Sequence, residues 1–152
     1  MKSKSITSFL LGFGLFLATL SIAGAGEFPP PGSKPLSAIL KSLEGQELGV
    51  LTSTEFDDGW WEVKVCKAGA CQKLYIDPRT GEEKRRRKTD SDDELPPANA
   101  QPLSAIVQSI EDRGLEAIAE VEFDDGFWEV ELRKDGRKIK LDVDPRTGET
   151  RR

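Results

Sequence analysis

Few residues in this chain can do chemistry. It holds two cysteines, Cys66 and Cys71, and no histidine. Without histidine no Ser–His or Cys–His nucleophile pair can form, and no imidazole metal site. Two cysteines fall short of a structural zinc site, and C-x4-C is not the C-x-x-C of thioredoxin-like centres. Two adjacent acid pairs, Asp57–Asp58 and Asp124–Asp125, offer hard oxygens to a cation such as Ca2+. Two carboxylates do not make a cage, however, and each pair runs straight into glycine, where Asp is a turn former. No glycine-rich phosphate loop is present. The residues predict no catalytic site, no metal site and no cofactor, and hence no enzyme.

What must position these residues is a repeat. Pro35-Leu36-Ser37-Ala38-Ile39 returns 67 positions later as Pro102-Leu103-Ser104-Ala105-Ile106. Glu55-Phe56-Asp57-Asp58-Gly59 returns as Glu122-Phe123-Asp124-Asp125-Gly126, and Asp77-Pro78-Arg79-Thr80-Gly81-Glu82 as Asp144-Pro145-Arg146-Thr147-Gly148-Glu149. Within each copy the apolar period changes once. Leu36, Ile39, Leu40 and Leu43, like Leu103, Ile106, Val107 and Ile110, fall on one stripe of a short helix, with Pro35 and Pro102 at its start and Gly45 and Gly114 beyond its end. The period then becomes two. Leu115, Ala117, Ala119, Val121 and Phe123 alternate with Glu116, Ile118, Glu120 and Glu122. Asp58-Gly59 and Asp125-Gly126 predict hairpin turns. Trp61, Val63 and Val65, then Leu74 and Ile76, face inward; Trp128, Val130, Leu132, Ile139, Leu141 and Val143 do so in copy two. Asp77, Pro78 and Gly81, and Asp144, Pro145 and Gly148, predict a second tight turn. The fold class is α+β: two tandem repeats, each a short helix packed on a three- to four-stranded antiparallel sheet whose other face is open.

This parity places Cys66 and Cys71 together on the open face, at facing positions of one hairpin, which predicts a disulfide; a redox-active pair is the alternative. Trp60 and Phe127 fall on the same face, beside Glu62 and Glu129. These four are the candidate binding residues, with the aromatics either contact anchors or covered by the linker or the other copy.

The ends complete the organisation. Lys2 and Lys4, an apolar run from Ile6 to Ile22 and Ala23-Gly24-Ala25 describe a signal peptide over residues 1–25, cleaved after Ala25. Residues 26–34 form an extended, proline-rich lead-in, 35–83 the first repeat, 84–101 a charged, Pro-containing linker and 102–152 the second repeat. The linker opens with the basic run Lys84 to Lys88, whose first residues can extend the last strand of copy one. Removing Lys2 and Lys4 from the 22 basic residues leaves 20 against 27 acids, a balance of −7 that argues against nucleic-acid binding. The expected location is periplasmic or secreted, with no membrane contact after cleavage.

The Asp-Gly-Phe-Trp-Glu-Val of residues 125–130 and the Asp-Pro-Arg-Thr-Gly-Glu of residues 144–149, with Asp58-Gly59-Trp60-Trp61-Glu62-Val63 and residues 77–82 in copy one, resemble the PepSY domain family. The resemblance implies a non-catalytic binding module in the cell envelope, and a peptidase as protein partner, to be modulated or inhibited. No peptidase domain follows in this sequence, so such inhibition would act in trans. The alternative is an envelope sensor or accessory protein that binds a cation or small ligand through its acidic turns.

Overall fold

The computed structural model describes residues 28–91, 94–114 and 117–151. The proposed signal peptide lies outside them, as do Leu115 and Glu116 of the predicted strand. The first half runs α1 (Leu36–Glu44), β1 (Val50–Asp57), β2 (Trp60–Lys67), β3 (Ala70–Ile76) and β4 (Glu83–Thr89). The second runs α2 (Leu103–Glu111), β5 (Ala117–Asp124), β6 (Phe127–Lys134), β7 (Arg137–Val143) and β8 (Thr150–Arg151). The chain is thus α+β, as its change of period predicts. The eight strands form one antiparallel sheet rather than two, in the order β4-β3-β2-β1-β5-β6-β7-β8.

The halves meet at β1 and β5, where Ser53 pairs with Glu122, Thr54 with Val121 and Glu55 with Glu120. Thr54 and Val121 are equivalent positions of the repeat, so a local twofold relation runs between them. The helices obey the same relation. The Ser104 amide and hydroxyl donate to the Glu44 carboxylate at 3.0 and 2.5 Å. The Ser37 amide donates to Glu111 at 3.4 Å, and its hydroxyl bonds the same carboxylate. Pro35 and Pro102 occupy the N-caps and have no side chain to offer the first-turn N–H groups. The last-turn glutamate of each helix caps the start of the other, so the helices lie antiparallel. A single core joins Leu40, Trp61, Val63 and Leu74 of the first half to Val107, Val121, Trp128 and Val130 of the second.

Two expectations need correction. A β-bulge between Ile118 and Glu120 puts Ile118, assigned to the outward set, into the core at 6 % exposure, and takes Ala117 out of it. The first half bulges equivalently between Leu51 and Ser53. The basic run assigned to the linker is a strand, β4, paired along β3 from Cys71–Thr89 to Ile76–Glu83. The rest of the linker repeats the lead-in. Leu95-Pro96-Pro97 matches Phe28-Pro29-Pro30, and Lys34 and Gln101 both donate their amide to the proline carbonyl of the late turn, Pro78 and Pro145, at 2.8 Å.

Candidate binding face

With both helices on one side of the sheet, the opposite side carries the residues of outward parity. Its centre is acidic. Glu62, Glu55, Glu120 and Glu131 stand in one row across β2, β1, β5 and β6, and Glu122 and Glu129 face each other beside it. Like charges directly opposed are costly unless countered. Lys73 meets Glu62 at 2.5 Å, Lys138 meets the buried Glu131 at 2.6 Å, and Lys140 stands 3.9 Å from Glu129. Glu55 and Glu120 cross the seam itself. Burial first, then Asp57, raises the Glu55 pKa above the usual carboxylate range; burial first, then Glu55, raises that of Glu120. The hydrogen bond to Glu62 holds the Lys73 pKa up.

The candidate residues are not gathered into one spot. Trp60 and Phe127 are both half-buried and lie at opposite ends of the face, at the starts of the inner strands β2 and β6, related by the local twofold. Phe127 carries the Arg151 guanidinium 4.3 Å above its ring and lines a groove with Glu94, Leu95 and Pro97. Glu62 sits between Glu55 and Lys73, and Glu129 between Glu122 and Lys140. Cys66 and Cys71 are paired in register and joined as a disulfide, with Cα atoms 4.1 Å apart. Arg133 and Lys138 occupy the same register in the second half.

The turn acids act locally. Asp58 and Asp125 take φ of 48° and 47°, followed by Gly59 and Gly126 at 82°, as two-residue hairpin loops require. Asp77 accepts the amides of Arg79 and Thr80 at 2.9 and 3.0 Å, and Asp144 those of Arg146 and Thr147 at 2.8 and 3.0 Å. Those N–H donors lower both pKa values. Gly81 at φ 73° and Gly148 at φ 72° close these turns. Among the described residues no cluster of three or more metal-ligating side chains occurs.

One cluster was not anticipated. Tyr75, on the open face yet only 2 % exposed, lies beneath Arg85 at 3.8 Å and Arg87 at 5.0 Å. The outward parity of Tyr75 with Cys71 and Lys73 pointed to it; reading the basic run as linker hid the arginines. The lead-in also makes a contact that the sequence did not disclose. Phe28 lies against Arg133 of the second half at 4.1 Å, and a cleft of about 740 Å3 opens between this segment, Trp61, Ile118 and Glu111.

The geometry is that of a paired α+β module whose sheet face opposite the helices is charged. The model of the peptidase propeptide and YPEB domain, PepSY_2, matches residues 8–86 and 90–151, and the chain belongs to that family. No curated protein matches it. A crystal structure described as a "putative lipoprotein" from Clostridium difficile 630 is similar at 17 % identity and a TM-score of 0.45, over 83 % of this chain and 93 % of that one. No helix among the described residues is long and apolar enough to cross a membrane.

Proposed function

We propose that the protein is an exported, non-catalytic binding module that modulates a peptidase of the envelope or the secreted fraction. The observation that carries this reading is the uncovered sheet face, with Trp60 and Phe127 at its opposite ends and glutamates between them. Exposed aromatic side chains anchor protein contacts, and a face of one charge steers a partner of the opposite charge. Family membership favours a peptidase as the partner, and the lack of histidine favours a role without catalysis. The apolar N-terminal run and the disulfide fit an oxidising location outside the cytoplasm, with the leader removed after Ala25. The two repeats, joined through their helices and the central strands, act as one unit.

The test is a crosslinking pull-down from the cell envelope, followed by a proteolysis assay on whatever peptidase is captured. Wild-type protein is expected to capture the peptidase and change its rate, and the Trp60→Ala/Phe127→Ala variant to lose both effects. Equal capture by both proteins removes the sheet face as the site. A captured peptidase whose rate stays unchanged removes modulation.

A further inference from the structure

The cations of β4 run in succession from Lys84 to Lys88, and the alternation of a strand divides them between the two sides of the sheet. Arg85 and Arg87 pair with Tyr75 and Lys73 and stand on the open face. Arg86 pairs with Leu74 and turns to the helix side, near Leu48 and Val65. Their partners differ as well. Lys84 holds Glu82 at 2.7 Å, and Arg86 holds Glu83 at 2.5 Å. Arg85 and Arg87 are exposed and make no ion pair among the described residues. The other carboxylates between Trp60 and Thr89 are engaged elsewhere. Glu62 meets Lys73, and Asp77 accepts the amides of Arg79 and Thr80.

Tyr75 brings the two guanidiniums together, since they lie 3.8 and 5.0 Å from the centroid of its one ring. Two like charges held over one ring repel each other, and the ring offsets only part of that. A guanidinium over an aromatic face also keeps N–H groups for another acceptor. The Tyr75 hydroxyl is buried and has no hydrogen-bond partner, in a residue only 2 % exposed. A buried hydroxyl left unpaired is costly. The cluster thus combines uncompensated positive charge with spare donors, which is what an oxyanion needs.

Its surroundings keep it separate from the acidic centre. Tyr75 stands in the same cross-strand row as Glu62 and Glu55, between Glu62 and Arg85. Lys73, beside Arg87, neutralises Glu62 at that border. In the second half Asp142 takes the place of Tyr75, so the cluster belongs to the first half alone.

We propose that Arg85, Arg87 and Tyr75 form a binding site for a phosphate monoester group or free phosphate. Near neutral pH such a group carries close to two negative charges and several acceptor oxygens, which match two guanidiniums and one hydroxyl. A carboxylate or a phosphate diester brings one charge and leaves one arginine uncompensated. Both arginines are long and exposed, and rotation of either one uncovers the hydroxyl for the anion. The group can arrive free, on a small soluble molecule or on a lipid headgroup, because the site lies at the edge of the sheet. The inference goes beyond the proposed function, since it needs neither Trp60, Phe127 nor a peptidase.

Tyr75 is the only tyrosine in the chain, so its ultraviolet difference spectrum reports the site without a label. The probes are inorganic phosphate and glycerol 3-phosphate, titrated into the purified oxidised protein at fixed ionic strength. Half-saturation is expected below about 1 mM, with shifts in the Nε–H resonances of Arg85 and Arg87. Binding should weaken below about pH 6, where the phosphate takes its second proton. Arg85→Lys with Arg87→Lys keeps the charge, loses the planar donors and should weaken binding at least about tenfold. Tyr75→Phe keeps the ring and, read by the arginine resonances, should also weaken it about tenfold. Arg86→Ala removes the same charge from the other side of the sheet and should change affinity by less than about twofold. Pelleting with phosphatidylcholine vesicles that carry phosphatidic acid, but not with those carrying phosphatidylglycerol, would assign the group to a lipid. Binding of the soluble probes without pelleting would assign it to a small anion. No saturation, full affinity in Tyr75→Phe, or an equal loss in Arg86→Ala would overturn the proposal. Equal pelleting with both anionic vesicles would do so too, because it shows attraction to charge alone.

Discussion

The first repeat carries a covalent staple that the second lacks. The first has a disulfide between β2 and β3, a seven-residue β4 along its outer edge, and Tyr75 covered by two arginines of that strand. The second has Arg133 and Lys138 where the cysteines stand. At the helix pair, by contrast, the halves match at Glu44 with Glu111 and Ser37 with Ser104, and in the core at Trp61 with Trp128, although the strand seam differs, with Ser53 and Thr54 where the second half has Glu120 and Val121. Duplication therefore kept the reciprocal helix caps and changed the outer hairpin, where the first half alone has cysteines. The helix caps help to hold the pair together, and the outer hairpins are where the repeats differ.

The largest test of this division is at the helix caps. Glu44→Ala and Glu111→Ala should each cost about 1–2 kcal/mol, because each strips a carboxylate from a buried serine and a helix start. The two costs should agree closely, and the double variant should lose roughly their sum. Urea unfolding measures all three. A large effect from one substitution and none from the other would break the symmetry of the centre.

The edge is tested next. Cys66→Ser with Cys71→Ser should lose about 2 kcal/mol under oxidising conditions, as a short closed loop predicts. Hydrogen exchange should then speed up along β2–β3 until it approaches that of β6–β7. If β2–β3 stays slow without the bond, β4 rather than the disulfide closes the first repeat.

How legible this was depended on whether a feature leaves a period in the sequence. The helices, hairpins and cysteine register did, because the apolar stripe and the Asp-Gly turns recur in both copies. The bulges left none. An inserted residue such as Ala119 keeps the composition of a strand while flipping its parity, and so Ile118 was assigned to the wrong face. The basic strand β4 read as linker because an edge strand needs no apolar face, and the charges that keep it from aggregating look like solvated chain. Trp60, Glu62, Phe127 and Glu129 could be assigned to the open face, but nothing local showed that the aromatics sit at its opposite ends. The joining of the halves was hidden most deeply. Each helix cap lies on the other helix, outside any local capping motif, and Glu55–Glu120 is a pairing that a charge rule argues against.

That last pair gives the smallest and most specific effect. The fold raises the Glu55 and Glu120 pKa values, so both carboxyls favour the folded state when protonated. Their contribution is fully present below the ordinary carboxylate pKa and is lost as pH rises through the raised values. Asp77 and Asp144 act with the opposite sign. Their pKa values are lowered, so their contribution is present above the ordinary carboxylate pKa and is lost as pH falls through the lowered values. Protonating the seam should therefore raise Tm as pH falls from neutral toward the ordinary carboxylate pKa, before the turns weaken in stronger acid. Glu55→Gln with Glu120→Gln should flatten that rise and leave the acid side unchanged. Glu55 is exposed and screened, so the gain at neutral pH is only about 0.5 kcal/mol, or a degree or two in Tm. A variant that keeps the full rise would place the titrating groups away from the β1–β5 junction.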